Sequence, residues 1–323
     1  MKKLVLSIVL GIGCISILPL PSSAASSSIK QTNSTQNGWV QSNSNWYYYQ
    51  NGTIKTGWVL DNNNWYYLNP DNNGAMTKGW VFKKDNKNWY YLDPVTGVMK
   101  TGWQKINEKW YYLTLEEGDM KKGWQQINGL WYYLDPESGD MKKGWQQVYG
   151  FWYYLAPTGE MKTGWQQING RWYNLDSNTG SLIQLEGWKT VDGKWVYYIP
   201  SNYGLATNEA RTINVNGYPV ICHFDSSGYW TAFDANVSAY SADEGTGNAK
   251  DGTVITGDPN QKMVAVDPAL IPLGTKLYIP GYGEAVAHDT GSAIKGNHID
   301  ILFATTKQAN YWGRQNLLVE IRY

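Results

Sequence analysis

Along residues 38 to 200, short β-prone runs of about five residues recur in pairs roughly every 20 positions, the first of each pair opened by Gly-Trp and the second mostly built on Trp-Tyr-Tyr, with departures at Asn174 and Val196. In the unit GWQQINGLWYYLDPESGDMKK, residues 123 to 143, Asn128-Gly129 separates two such runs. An Asn-Gly pair between β-prone runs is the strongest short-range signal for a hairpin turn. Asp135-Pro136-Glu137-Ser138-Gly139 then predicts a second turn toward the next unit. A lone hairpin is marginal in water, so the units must stack into a solenoid. Beyond about residue 231 the pattern changes. Short apolar runs at 263–266, 276–279, 285–287 and 299–303 are divided by Pro or Gly turns, which predicts a small β-barrel. TTKQANYWGR carries the one helical signal, with Thr305 or Thr306 as N-cap and Gly313 as stop, and LLVEIRY predicts a last strand. The fold class is therefore all-β: a β-hairpin solenoid followed by a barrel.

The Gly-Trp series falls at Trp39, Trp58, Trp80, Trp103, Trp124, Trp145, Trp165 and Trp188, and the second series at Trp46, Trp65, Trp89, Trp110, Trp131, Trp152, Trp172 and Trp195. A degenerate further unit at 216–230, read with Pro219 at its first ring position, is expected to cap or link the array. The rings could simply form the solenoid core. Strand alternation instead sends Trp131 and Tyr133 to one face and Tyr132 to the other, so one face can pack while the other lines a cleft. The sharper expectation is a row of aromatic cages. They would be built from Trp58, Trp65, Trp80, Trp89, Trp103, Trp110, Trp124, Trp131, Trp145, Trp152, Trp165 and Trp172 with Tyr112, Tyr133 and Tyr154, and closed by Met120, Met141 and Met161. Such cages suit a quaternary ammonium, which ring faces attract by roughly 0.5 to 2 kcal/mol per contact.

Composition narrows the setting. The first 25 residues, with Lys2 and Lys3 before an apolar run and small residues ending at Ala24 and Ala25, have the layout of a secretory signal peptide, followed by a linker over 26–37. Its removal takes Cys14 away and leaves Cys222 as the single cysteine, so no internal disulfide is expected. It also leaves 25 basic against 27 acidic residues, from totals of 27 and 27. That balance argues against nucleic acid as a partner. No later stretch is long and apolar enough to suggest a membrane span. The chain holds 18 Trp and 25 Tyr but only 5 Phe, so many rings are expected to work through polar edges or exposed faces.

On the Gly-Trp and Trp-Tyr-Tyr-Leu units with their regular methionines, residues 38 to 205 resemble the choline-binding repeats of bacterial cell-wall proteins. The resemblance implies an anchor on choline-bearing teichoic acid; similar repeats in glucan-binding domains leave sugar stacking as the alternative ligand.

Three aspartates stand beside the strands of the last region: Asp267 in Ala-Val-Asp-Pro, Asp289 in His-Asp-Thr-Gly and Asp300 in His-Ile-Asp-Ile. Asp300 interrupts an apolar run, where partial desolvation would raise its pKa toward that of a general acid. Asp267 and Asp289 are of the turn-starting type. His288 and His298 lie ten positions apart beside different strands, not as a helical i, i+4 pair. They read as solvent-facing imidazoles rather than metal ligands, and neither metal nor cofactor is expected. AVDPALIPLGTKLYI, HDTGSAIKG and HID together resemble the 3D domain, similar to the catalytic barrel of lytic murein transglycosylase A. Over residues 232–323 this implies a double-psi β-barrel with Asp300 as catalytic acid and Asp289 and Asp267 in supporting positions. Ser292 departs from the family's usual second glycine. The expected function is that of a secreted, wall-associated enzyme cleaving peptidoglycan glycan strands between N-acetylmuramic acid and N-acetylglucosamine. A surface protein that only binds glycan is the alternative.

Overall fold

The computed structural model describes residues 36–244 and 247–323. The expected signal peptide and nearly all of the 26–37 linker lie outside the described residues. The chain divides into two compact units, one reaching Lys83 and taking in Tyr91–Met99, the other holding Lys84–Tyr90 and Lys100–Tyr323.

In the first unit, Gly38–Ser42 pairs with Asn45–Gln50 and Gly57–Asp61 with Asn64–Asn69, each pair antiparallel. In the second unit the hairpins run Gly102–Ile106 with Lys109–Leu113, Gly123–Ile127 with Leu130–Leu134, and Gly144–Val148 with Phe151–Leu155. Gly164–Ile168 with Arg171–Leu175 and Gly187–Val191 with Lys194–Tyr198 continue the series. The Asn128-Gly129 turn explains the shape. Both residues have positive φ, 51° and 81°, the two-residue turn whose twist matches a hairpin. It sets Trp124 opposite Tyr133 and Gln126 opposite Trp131.

Between hairpins, Asp135 Oδ1 accepts from the Glu137 and Ser138 amides, and the Lys142 ammonium is the first cause holding that carboxyl well below the usual range. The chain then reaches back along the array. Met141 N–H donates to the Trp110 carbonyl at 2.8 Å, Met161 to Trp131 at 2.7 Å and Leu182 to Trp152 at 2.7 Å. What these bonds stack is aliphatic: Leu113, Leu134, Leu155 and Leu175 are 0% exposed, whereas Trp110 and Trp131 keep 37% and 42% of their surface. Each such leucine contributes roughly 1.5 to 3 kcal/mol by leaving water. The solenoid core is therefore Leu-based, and these two rings stay partly in solvent.

Past the last hairpin, β1 (Glu209–Val215) and β2 (Tyr218–Phe224) pair antiparallel across an Asn216-Gly217 turn. This corrects the register expected for 216–230. Pro219 lies opposite Asn214, as Trp131 lies opposite Gln126, so it takes the second ring position and not the first. The hairpin also joins the barrel sheet, since β2 pairs with β3 (Trp230–Ser241). Arg171 of the array donates to Glu209, and the Trp188 and Trp230 rings lie 5.0 Å apart.

The remaining strands are β4 (Met263–Ala265), β5 (Lys276–Ile279), β6 (Gly283–Asp289), β7 (His298–Phe303) and β8 (Gln315–Arg322). Strand order β3-β7-β4-β6-β5-β8 returns to β3, closing a six-stranded barrel with parallel β3/β7 and β4/β6 pairs. Val237, Val264, Leu277, Ala285, Ile299 and Ile301 are among its core residues. Helix α1 (Thr306–Trp312) is capped by Thr305, which forms a capping box with Gln308, and is followed by Gly313. No helix among the described residues is long and apolar enough to cross a membrane.

Candidate functional sites

Within the array, a 410 Å³ cavity is lined by Trp103, Trp110, Tyr132, Met141, Lys143 and the linker residues Pro157 and Thr158. The Trp103 and Trp110 rings stand 6.5 Å apart at 85°, and Trp103 meets Tyr132 of the following hairpin edge-on at 5.0 Å. One repeat on, Trp124 and Trp131 keep the 6.5 Å spacing, Tyr153 lies 4.9 Å from Trp124, and Met161 is tied to the Trp131 carbonyl. Trp145 and Tyr173 continue at 5.0 Å, but Leu182 stands where a methionine would be and donates to the Trp152 carbonyl.

The tyrosine expected in each cage needs correcting. Tyr112 does not line the cavity; paired directly across its own hairpin, it packs 5.2 Å from Trp103, as Tyr133 does at 5.0 Å from Trp124 and Tyr154 at 5.2 Å from Trp145. The middle tyrosine points the other way and so reaches the preceding hairpin. Of the other expected cage residues, Trp58 and Trp65 form a 6.4 Å pair, Trp80 packs on Tyr91, and the Trp89 carbonyl accepts from Met120. Trp165 is 39% exposed, and Trp172 Nε1 donates to the Ser226 carbonyl.

The three barrel aspartates have different surroundings. Asp267 is 3% exposed; its Oδ1 accepts from the Ala269 amide and its Oδ2 from the Gly296 amide, which makes it a clamp between two loops. Asp289 closes β6, with Oδ1 accepting from the Lys250 and Thr290 amides at 2.9 and 2.8 Å. Asp300 lies between Ile299 and Ile301, both in the barrel core, so alternation turns it to the outer face. There the Ser238 hydroxyl donates to its Oδ1 at 2.7 Å.

Two neighbours escaped sequence reasoning. Tyr240 is on β3, two residues from Ser238 and therefore on the same face; its hydroxyl is buried with no hydrogen-bond partner. Burial first, then the charges of Asp289 and Asp300, push that phenol far above its ordinary pKa, so it stays protonated beside both carboxylates. The alternation of Ser238 and Tyr240 with Val237 and Ala239 was the available signal. His298 is the second neighbour. Neither it nor His288 is a free solvent-facing ring: His288 Nδ1 is 2.6 Å from Asp251 Oδ2, and His298 Nε2 is 2.8 Å from Ser238 Oγ. Among the described residues no group of three or more His, Cys, Asp or Glu is placed to hold a metal ion.

The family model of the 3D domain matches residues 262–322. That of the choline-binding repeat matches 55–101, 100–143 and 142–184, and that of a putative cell wall binding repeat matches 37–52 and 186–202. This chain carries choline-binding repeats and a 3D domain. All three aspartates fall inside the 3D match, whereas Ser238 and Tyr240 precede it. The chain is similar to the cell wall-binding protein YocH of Bacillus subtilis (strain 168), 45% identical over 86 residues, which are 26% of this chain and 30% of that protein. It is also similar to the putative cell wall shaping protein YabE of the same strain, 44% identical over 91 residues, 28% of this chain and 21% of that one. The chain thus spans less than a third of these relatives. Among solved structures, CbpJ from Streptococcus pneumoniae TIGR4 is 41% identical, with 58% of this chain and 62% of that chain covered and a TM-score of 0.47. Choline binding protein F from Streptococcus pneumoniae is 42% identical, covering 57% and 60%, with a TM-score of 0.46.

Proposed function

We propose that this protein is exported to the cell wall, held there by its choline-binding repeats, and cleaves peptidoglycan glycan strands between N-acetylmuramic acid and N-acetylglucosamine through its 3D domain. The observation that carries this reading is the setting of Asp300: a carboxyl on the outer barrel face, held by a serine hydroxyl, with a protonated Tyr240 phenol that its charge and that of Asp289 both reach. Ordinary glycosidases need two carboxyl groups because water or an enzyme nucleophile attacks the sugar carbon. A lytic transglycosylase uses the C6 hydroxyl of the muramic acid itself. Asp300 then protonates the leaving oxygen and, as carboxylate, takes the C6 proton, so that one group performs both transfers and returns to its starting state. The product is a 1,6-anhydro sugar. Because the nucleophile is tethered to the reacting centre, proximity supplies much of the rate.

The anchor follows from the cages. Two indoles, a tyrosine and a methionine around one cavity offer ring faces and a polarizable sulfur, which suit a ligand with positive charge and no hydrogens to donate. Choline on a polymer presents that group repeatedly, and binding at one cage raises the effective concentration at the next.

Mass spectrometry of muropeptides released from choline-containing walls tests the chemistry. Anhydro ends that vanish with Asp300→Asn support it. Reducing ends would replace the lytic step by hydrolysis, and undiminished release by the variant would remove Asp300 from the reaction. Retention on a choline column that free choline does not reverse would leave glucan as the repeat ligand.

A further inference from the structure

Ser238 in β3 and Asp300 in β7 are register partners in a parallel pair. The serine Oγ lies 2.7 Å from Asp300 Oδ1 and 2.8 Å from His298 Nε2, so it is the middle member of a three-part chain. At the far end, His298 Nδ1 is 3.2 Å from the Ala293 carbonyl oxygen. A carbonyl only accepts, so Nδ1 carries hydrogen whenever this contact is made. Nε2 is then the variable position: it accepts when the ring is neutral and donates when the ring is cationic.

Counting hydrogens decides which states fit. With Asp300 ionised and His298 neutral, both ends accept and the one serine hydrogen satisfies only one of them. With Asp300 protonated and His298 cationic, both ends donate to Oγ and the serine hydrogen has no acceptor in the chain. The bonds match only when Asp300 and His298 hold one titratable proton between them. Either the Asp300 O–H donates to Oγ and the serine O–H donates to Nε2, or the imidazolium N–H donates to Oγ and the serine O–H donates to the carboxylate.

We infer that Asp300, Ser238 and His298 form a one-proton relay, in which Ser238 and His298 are positioning residues that set whether Asp300 holds its proton. In the forward sense the Asp300 O–H bond breaks as Oγ takes that proton, and the serine's own O–H bond breaks as Nε2 takes the other. Asp300 ends with a negative charge and His298 with a positive one, and the total is unchanged. The relay rests on the reading of Asp300 as the proton-transferring group. Beside the relay, the Tyr240 phenol on β3 is reached by the charges of both Asp300 and Asp289 at the end of β6, and His288, next to Asp289, is paired with Asp251. Tyr240, Asp289, His288 and Asp251 are unaltered in the test variants.

The chain has three histidines, so imidazole resonances are few. The full-length chain, isotope-labelled at histidine, is titrated over roughly pH 4 to 9 by NMR as wild type, Asp300→Asn, Ser238→Ala and Ser238→Thr. The His298 midpoint is expected to differ between wild type and Asp300→Asn, where the carboxyl at the other end of the relay is gone. Ser238→Ala should shift it as well, whereas Ser238→Thr, which keeps a hydroxyl, should hold the wild-type midpoint. A His298 midpoint that agrees within about 0.2 unit across wild type, Asp300→Asn and Ser238→Ala overturns the relay. Muropeptide release from the same proteins tests the other reading separately. Release lost in Asp300→Asn with an unmoved midpoint keeps the catalytic acid and removes the relay. A moved midpoint with no release even by wild type keeps the relay and removes the proposed cleavage.

Discussion

Asp289 and Asp300 lie opposite the same residue, Ala265, one on each side of strand β4. Two strand spacings put their backbones about 10 Å apart across the sheet. Their hydrogen-bond partners differ: Asp289 accepts from backbone amides, one of them in the 247–254 segment, whereas Asp300 accepts from a side-chain hydroxyl that can reverse. The two should therefore respond differently to removal. Asp300→Asn is expected to lower glycan cleavage by at least about 100-fold, the usual range for a general acid, with the thermal midpoint little changed. Asp289→Ala should free the Lys250 amide, seen as faster hydrogen exchange there. Equal loss of cleavage and equal exchange in both variants would mean that the carboxylates act as one group.

Tyr240 carries a buried hydroxyl with no hydrogen-bond partner, and burial first, then the charges of Asp289 and Asp300, raise its pKa. An unmade hydrogen bond of this kind costs about 1 to 3 kcal/mol in the folded state. Tyr240→Phe should consequently leave stability unchanged or raise it, measured as the denaturant midpoint. If the phenol serves the site by donating to substrate, the same variant loses cleavage while gaining stability. A drop in stability of that size would show that the hydroxyl is engaged.

The cage around Trp124, Trp131 and Tyr153 depends on Met161, and Met161 in turn depends on the next linker. A Cβ added at Gly180 would stand 2.5 Å from Met161 Sδ, and Gly180 has φ of +74°, where a side chain is strained in any case. Gly180→Ala should cost roughly 1 to 3 kcal/mol of stability and push the methionine out of position. Tyr153→Ala should weaken choline at that one cage by roughly 0.5 to 2 kcal/mol, without the stability loss expected of Tyr154→Ala, whose ring packs on its own hairpin. Calorimetry that counts sites separates these outcomes; a Tyr154 variant weaker in choline than the Tyr153 variant would reverse the assignment.

Local signals carried most of the fold. Asn128-Gly129 predicts the hairpin turn, and Thr305 or Thr306 with Gly313 the helix; the apolar run around Asp300 predicts its partial desolvation, and the outer face it occupies follows from Ile299 and Ile301 entering the core. What failed in the cages depended on the neighbouring repeat. Alternation placed Tyr132 opposite in face to Tyr133, but only the step between hairpins reveals that Tyr132 meets the preceding Trp103. The shift in Pro219 has a different, local origin: the Asn216-Gly217 turn sets Pro219 opposite Asn214 within its own hairpin. His298 and Ser238 are 60 positions apart, and their contact follows from the parallel β3/β7 pairing, which no local pattern encodes.

The segment over Asp289 should loosen in acid. Asp251 is held to about 2, first by its hydrogen bond to His288 and then by amide and side-chain hydrogen bonds from Thr253. Its folded value lies below the value of about 3.9 for an unfolded aspartate, so the carboxylate form is the one that folding favours. The contribution is complete above about pH 4 and is lost as pH falls from there through 2. Asp251→Asn should accordingly differ from wild type in exchange of the Asp251 and Thr253 amides above about pH 4, and converge with it near pH 2. A difference that persists undiminished at pH 2 would mean that shape, and not the carboxylate's charge, holds this segment against β6.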